Sequence, residues 1–108
     1  MMALVLGAAS LFGADVTGTW KAAVETDAGS GNPVFHLKQD AEKLTGTYSG
    51  ALGEAKVTGT IKGSEVTLEF DAQVHVVYRG KLGADGKTMS GAVDLGGQAT
   101  GTFQAAKE

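Results

Sequence analysis

The pentapeptide Val16-Thr17-Gly18-Thr19-Trp20 alternates apolar residues or glycine with threonine, and the chain repeats this pattern. Strict alternation is typical of a half-buried strand, because successive side chains point to opposite faces of a sheet. Each copy therefore predicts a β-strand with apolar side chains and glycine on one face and hydroxyl groups on the other. The later copies are Leu44-Thr45-Gly46-Thr47-Tyr48, Val57-Thr58-Gly59-Thr60-Ile61, Met89-Ser90-Gly91-Ala92-Val93 and Ala99-Thr100-Gly101-Thr102-Phe103.

Alternation of this kind extends over eight segments, each ended by turn-forming residues. Short connections such as Ala84-Asp85-Gly86-Lys87 and Gly96-Gly97 predict tight hairpins, which make neighbouring strands antiparallel. The exception is Thr26–Pro33, predicted to be a longer polar loop. The predicted strands are Val16–Glu25, Val34–Gln39, Lys43–Ser49, Lys56–Lys62, Glu65–Asp71, Val74–Leu82, Thr88–Leu95 and Ala99–Ala106.

One apolar face on every strand, with no helix to cover it, predicts that the sheet closes on itself. The expected fold is all-β: an eight-stranded antiparallel up-and-down (meander) barrel of the lipocalin/streptavidin type. A β-sandwich is the competing architecture, but Greek-key sandwiches need long crossover connections and only Thr26–Pro33 is moderately long. The predicted interior comprises Val16, Trp20, Val24, Phe35, Leu37, Leu44, Tyr48, Val57, Ile61, Val66, Leu68, Phe70, Val74, Val76, Tyr78, Leu82, Met89, Val93, Leu95 and Phe103.

Composition limits the partners of this barrel. The 108 residues suffice for one domain, and a net charge of −3 without basic clusters argues against nucleic acid. No cysteine is present, and His36 and His75 are predicted to face solvent, with only carboxylates such as Glu69 or Asp71 nearby across a hairpin. We therefore expect no metal, no cofactor and no catalytic residue.

Residues 1–14 differ from the rest, because residues 3–12 form a short apolar run without charge. This length is typical of the hydrophobic core of a signal peptide and too short to span a bilayer. No Lys or Arg precedes the run, which a start codon assigned too late would explain. We predict a signal peptide over 1–14, a single barrel domain over 15–108, export to the periplasm or extracellular space, and no stable membrane insertion after processing. The alternative is that this segment packs along the barrel as an extra strand or helix.

The opening Gly18-Thr19-Trp20 and the later Leu44-Thr45-Gly46-Thr47-Tyr48 resemble the first and third strands of the avidin/streptavidin family, within the calycin group. The resemblance implies an eight-stranded barrel, and it places Tyr48 where the family's tyrosine donates to the biotin ureido group. The family's polar ligand residues are replaced by Ala22 and Gly50, and Trp20 is the only tryptophan. The resemblance therefore implies the barrel without the biotin site. In its general sequence pattern the chain is similar to small exported bacterial domains of uncharacterised function.

For function, the first hypothesis is a non-catalytic barrel that binds a small, mainly apolar ligand in its interior. The alternative is a filled barrel that acts through its threonine-rich outer face as an interaction or accessory module, and the second alternative is an enzyme. The sequence does not identify the ligand, a protein partner or the oligomeric state. The predicted interior ligand residues are Trp20, Phe35, Tyr48, Phe70, Tyr78 and Phe103. The residues predicted to line the mouth, with the Thr26–Pro33 loop as a lid, are Asp27, Ser30, Asn32, Glu54, Asp71 and Gln73.

Overall fold

The computed structural model describes residues 15–108, so the predicted signal segment 1–14 lies outside the described residues. All regular structure in the described part is β-strand, and none of it is a helix with the length and apolar character of a membrane span. The strands are β1 Gly18–Thr26, β2 Gly29–Gly31, β3 Val34–Asp40, β4 Lys43–Gly50, β5 Gly53–Lys62, β6 Glu65–Ala72, β7 Val74–Leu82, β8 Thr88–Leu95 and β9 Ala99–Lys107.

From β3 to β9, each strand pairs antiparallel with the next one in sequence, and β9 returns to pair with β1. The closing pair places Phe103 opposite Val24. Past its two ends, the amide of Asp27 donates to the carbonyl of Thr100 at 3.1 Å, and the amide of Glu108 donates to that of Thr19 at 2.9 Å. The predicted closed, eight-stranded up-and-down barrel is confirmed, and the sandwich is excluded.

Two connections contain more strand than the sequence predicts. Gly29–Gly31 forms the short strand β2, which continues the edge of β3 and pairs with the end of β1. The turn before it is tied by Thr26, whose hydroxyl accepts from the amide of Ala28 at 3.0 Å and donates to the carbonyl of Gly29 at 2.9 Å. The prediction of a long loop over Thr26–Pro33 was therefore wrong, because backbone pairing with β1 needs no apolar side chains. The β4–β5 connection is likewise reduced to Ala51 and Leu52.

The predicted interior is buried, except that Val74, Leu82 and Leu95 are half-buried near the barrel ends. The sequence reading missed several small residues that also face inward. Alanine is apolar but contributes little to an alternating pattern, which explains the omission. These inward alanines are Ala22, Ala72, Ala99 and Ala105.

Glycines in the repeated motif let adjacent strands approach closely. A Cβ added to Gly59 would overlap the carbonyl oxygen of Thr67, and one added to Gly101 would overlap that of Glu25. Both oxygens belong to neighbouring strands of the barrel wall. The glycine of the Thr-Gly-Thr motif is therefore a requirement of the coiled wall, as expected for a small barrel.

Candidate functional site

The connections β1–β2, β4–β5, β6–β7 and β8–β9 gather at one end of the barrel, which we call the mouth. Gln73 in the β6–β7 turn donates from Nε2 to the carbonyl of Leu52 in the β4–β5 turn, at 3.4 Å. This bond joins two turns that are 21 residues apart in sequence. It follows from the up-and-down order of the strands, which brings alternate connections to the same end.

The opposite end, which we call the plugged end, is closed by Trp20 and Val16. Trp20 is 1 % exposed, and its indole Nε1 donates to the carbonyl of Val16 at 2.9 Å. Val16 is fully buried and is fixed in turn, because its amide donates to Oε1 of Gln39 at 2.9 Å. The indole thus fills space with its polar group satisfied, and it has no free donor for a ligand.

Between the two ends, the interior is filled with aromatic rings. Phe35 contacts Tyr48, Phe70 and Tyr78, with ring centroids 5.2 to 6.0 Å apart. Tyr48 stacks on Phe70 at 4.2 Å, and Tyr78 packs against Phe103 at 4.9 Å. These separations lie in the range of favourable aromatic pairs. Five of the six predicted ligand residues therefore form one continuous cluster, and much of the predicted interior cavity is occupied by them.

A pocket of about 130 Å³ lies between this cluster and the mouth. The tyrosines Tyr48 and Tyr78 line it, whereas the other four predicted interior residues do not. Its lining contains no charged side chain, and most of its surface is apolar. The lining residues are Val24, Thr26, Ala28, Gly29, Ser30, Gly31, Pro33, Tyr48, Ala51, Leu52, Tyr78 and Leu95.

The two phenol groups of the pocket differ in their partners. The Tyr48 oxygen accepts from the amide of Leu52 at 3.4 Å. The Tyr78 side chain is 4 % exposed, and within residues 15–108 its hydroxyl has no hydrogen-bond partner. No polar side-chain atom in this range is both fully buried and without a partner, so the Tyr78 oxygen is open to the pocket. Burial, with a smaller contribution from Tyr48, raises the pKa of Tyr78 well above its ordinary value, and the phenol stays protonated.

Of the six residues predicted at the mouth, only Ser30 lines this pocket. Asp27 and Gln73 lie exposed in turns at the mouth rim. Glu54 and Asp71 are exposed on the outer face, because both lie within strands and alternation turns their side chains outward. Asn32 is also exposed and lies beside an open groove of about 900 Å³ on the outer face. That groove is open to solvent, and polar residues such as Lys21 and Gln104 alternate in its lining with apolar ones such as Val34.

Both histidines are exposed, as predicted, and His75 has two carboxylate neighbours. Its Nδ1 lies 2.8 Å from Oδ1 of Asp71 and its Nε2 lies 3.1 Å from Oε1 of Glu69. Asp71 first, and Glu69 second, raise the pKa of His75. Within residues 15–108 no cluster of three or more histidine and carboxylate groups has the arrangement of a metal site.

Sequence reasoning did not single out the apolar part of the pocket wall as a site. Leu52 is half-buried in the β4–β5 turn, between Ala51 and Gly53, and Leu95 ends β8. A signal for Leu52 was present in the sequence, since a large apolar residue in a connection between two strands is expected to pack against other apolar residues. Val24 and Leu95 were predicted to face inward but not to line a ligand site.

No protein-family model matches the chain, and no curated protein matches it in sequence. Two solved structures with a similar fold are both designed proteins. One is a de novo designed fluorescence-activating β-barrel, with 10 % identity and a TM-score of 0.64 over 85 % of this chain and 93 % of that one. The other is a redesigned β-barrel, mFAP0, bound to DFHBI, with 14 % identity and a TM-score of 0.58 over 85 % of this chain and 98 % of that one. At these identities the likeness shows the fold, and the resemblance to the avidin family stays one of strand pattern.

Proposed function

We propose that this protein binds a small, mainly apolar molecule in the mouth pocket and does not catalyse a reaction. The observation that carries the proposal is the apolar, uncharged pocket of about 130 Å³ in a barrel whose remaining interior is filled with aromatic rings. Proteins pack to high density, and the mouth of a β-barrel is a usual position for a ligand site. The mFAP0 structure, a barrel of similar fold bound to DFHBI, supports the capacity of this architecture to hold a compound.

The pocket offers little for catalysis. Its lining residues include no carboxylate, imidazole or amine, and the two phenols are the only titratable groups there. General acid–base catalysis needs a group whose pKa lies near the working pH, and the pKa of Tyr78 is raised away from that range. Binding by burial of apolar surface, at about 25 cal/mol per Å², is the chemistry that such walls support.

The test is a protein-observed NMR titration with ethylbenzene, a small apolar probe, on three forms of the protein. In the wild type, we expect shifts of the amides of Leu52 and Leu95. Leu52→Trp, which fills the pocket from its rim, is expected to abolish these shifts. Ala92→Trp, which adds the same side chain on the exposed outer face of β8, is expected to leave them unchanged. Absence of shifts in the wild type would remove the proposal.

A second candidate function is that of an interaction module acting through the outer face. The observation in its favour is that threonines are aligned across strands, with the exposed Thr45 opposite the exposed Thr58 and the exposed Thr60 opposite the half-buried Thr67. Such a module would retain a partner in Leu52→Trp and lose it when Thr45 and Thr58 are replaced by lysine. The mouth-pocket proposal expects the reverse for its ligand.

We also propose that the protein is exported to the periplasm or extracellular space, with residues 1–14 removed. The apolar run over residues 3–12 supports this proposal. Fractionation of an expressing bacterium, followed by mass spectrometry of the product, is expected to show a chain that begins near Asp15 outside the cytoplasm. Full-length protein confined to the cytoplasm would contradict it.

A further inference from the structure

We propose that the ligand of the mouth pocket is an uncharged molecule about the size of one aromatic ring, with a hydrogen-bond acceptor that receives the Tyr78 hydroxyl proton. This inference rests on the proposed function and adds the chemical class of the ligand. It follows from the size of the pocket, the absence of charge in its lining, and the unpartnered phenol of Tyr78.

Size sets the first condition. The pocket holds about 130 Å³, whereas pockets for drug-sized ligands hold roughly 300–1,000 Å³. An apolar protein cavity of about 150 Å³ accommodates benzene. The mouth pocket therefore fits one ring with a short substituent, and it excludes a long acyl chain or a fused polycyclic ligand.

Charge sets the second condition. None of the lining residues carries a charge that could pair with an ionised ligand. The raised pKa of Tyr78 also means that the phenol supplies no negative charge for a cation. Burial of an unpaired ion is costly, so a neutral ligand is favoured over its carboxylate or ammonium analogue.

The Tyr78 hydroxyl sets the third condition. Tyr78 lies on β7, and its backbone is fixed by pairing with Leu68 and Val93 on the neighbouring strands. Its ring is held by Phe35 and Phe103, so the hydroxyl is a positioned donor. The Tyr78 side chain is more than nine-tenths buried, and its hydroxyl has no partner within residues 15–108, so it is available to a ligand. A ligand with a carbonyl oxygen satisfies this donor.

Tyr48 makes a matched comparison on the opposite side of the pocket. Its oxygen is already engaged by the amide of Leu52, and its ring is stacked on Phe70. Removal of the Tyr48 hydroxyl therefore disturbs the pocket wall, whereas removal of the Tyr78 hydroxyl removes only the free donor. This difference separates a ligand contact from a structural one.

The experiment compares acetophenone with ethylbenzene, which has nearly the same shape but no acceptor, in NMR titrations of the wild type, Tyr78→Phe and Tyr48→Phe. A net hydrogen bond of about 0.5–1.5 kcal/mol corresponds to a two- to tenfold change in Kd. We expect Tyr78→Phe to raise the Kd of acetophenone by roughly this factor and to leave the Kd of ethylbenzene unchanged. Benzoate, the charged analogue, is expected not to bind measurably.

The outcomes separate the two proposals. If neither neutral compound shifts the pocket amides of the wild type, the proposed function itself fails. If both bind and Tyr78→Phe changes both Kd values equally or not at all, the pocket stands and the role of Tyr78 falls. Tight binding of benzoate would overturn the assignment of an uncharged ligand. Unchanged binding of ethylbenzene to Tyr78→Phe shows that the variant is folded, so loss of acetophenone binding cannot come from misfolding.

Discussion

Both ends of the barrel contain buried aromatic side chains, but the polar groups of these side chains differ in their hydrogen bonding. At the plugged end, the indole of Trp20 is 1 % exposed and has its N–H bonded to the carbonyl of Val16. At the mouth, Tyr48 and Tyr78 border a pocket, and one of the two hydroxyls is unpartnered within the described chain. Burial of a ring stabilises either end, but only a polar group left without a protein partner marks a place for a ligand. This difference is the reason for proposing the mouth, and not the centre of the barrel, as the ligand site.

The largest effect is expected when the plugged end is opened. Trp20→Ala removes a fully buried side chain and should lower the free energy of unfolding by about 3–5 kcal/mol. Tyr78→Phe is the matched change at the mouth, and it removes a hydroxyl that has no partner within residues 15–108. It should change the free energy of unfolding by about 0.5 kcal/mol or less. Chemical denaturation followed by circular dichroism measures both values.

Trp20→Phe provides a further variant if Trp20→Ala does not fold. It keeps most of the ring and loses the bond to the Val16 carbonyl, so an intermediate loss of stability is expected. A loss for either Trp20 variant no larger than that for Tyr78→Phe would show that the two ends do not differ in this way.

The next prediction tests whether the two ends also differ in how closely neighbouring strands of the barrel approach each other. Gly59 lies nearer the plugged end and Gly101 nearer the mouth, and an added Cβ would overlap a neighbouring carbonyl at both. Gly59→Ala and Gly101→Ala should each cost about 3 kcal/mol, at the upper end of overpacking effects. The control is Gly97→Ala, where φ is +76° but no atom lies within 4 Å, with a cost of about 1–2 kcal/mol.

Thermal or urea unfolding of these three variants gives the comparison. Equal losses at Gly59 and Gly101 would place the difference between the ends entirely in the aromatic filling. A loss at either position no larger than that of Gly97→Ala would mean that the strands relax around the added methyl group.

A smaller effect separates the two tyrosines of the pocket. Tyr48→Phe removes the acceptor of the Leu52 amide, and this bond is long at 3.4 Å, so a loss of about 0.5–1 kcal/mol is expected. Native-state hydrogen exchange should show faster exchange of the Leu52 amide in Tyr48→Phe and no such change in Tyr78→Phe. Equal exchange in both variants would contradict the different roles assigned to the two hydroxyls.

The sequence was sufficient to predict the barrel, because residue alternation and short hairpins can be recognised locally. A sheet made of such strands then covers its apolar face by closing into a barrel. Gly29-Ser30-Gly31 became a strand without carrying that pattern, since β1 presented a free backbone edge to it. Residues within a strand could therefore be assigned to a face, whereas the extent of pairing near a turn could not.

The site was less predictable for a different reason. The six aromatic residues were correctly placed inside, but whether they leave a cavity depends on how the rings pack against one another. The stacking of Tyr48 on Phe70 and the contact of Tyr78 with Phe103 fill the centre and leave space only towards the mouth. Glu54 and Asp71 failed to converge at the mouth because they lie within strands, where alternation places their side chains on the outer face.

The smallest effect concerns charge at the two ends. At the mouth, the carboxylates of Asp71 and Glu69 raise the pKa of His75, and at the plugged end Glu108 raises the pKa of Lys21 through a contact of 2.7 Å. All of these groups are exposed, so their contribution to stability is small and is screened by salt. Lys21, whose pKa is raised further, keeps its charge through the neutral range, whereas the imidazole of His75 loses its charge as the pH rises through its raised pKa.

Because folding raises the pKa of His75, its contribution to stability is fully present below the ordinary imidazole pKa of 6.5 and is lost as the pH rises through the higher folded-state pKa. Proton NMR titration should show this raised pKa. Asp71→Asn should lower it more than Glu69→Gln, because Asp71 is the larger cause, and Glu54→Gln on another hairpin should leave it unchanged. Since Asp71 and His75 flank the turn that holds Gln73, exchange of mouth amides should become faster from pH 6 to pH 8, after correction for intrinsic rates, without an equal change around Trp20. An equal change at both ends would show that His75 acts on the stability of the whole barrel and not on the mouth.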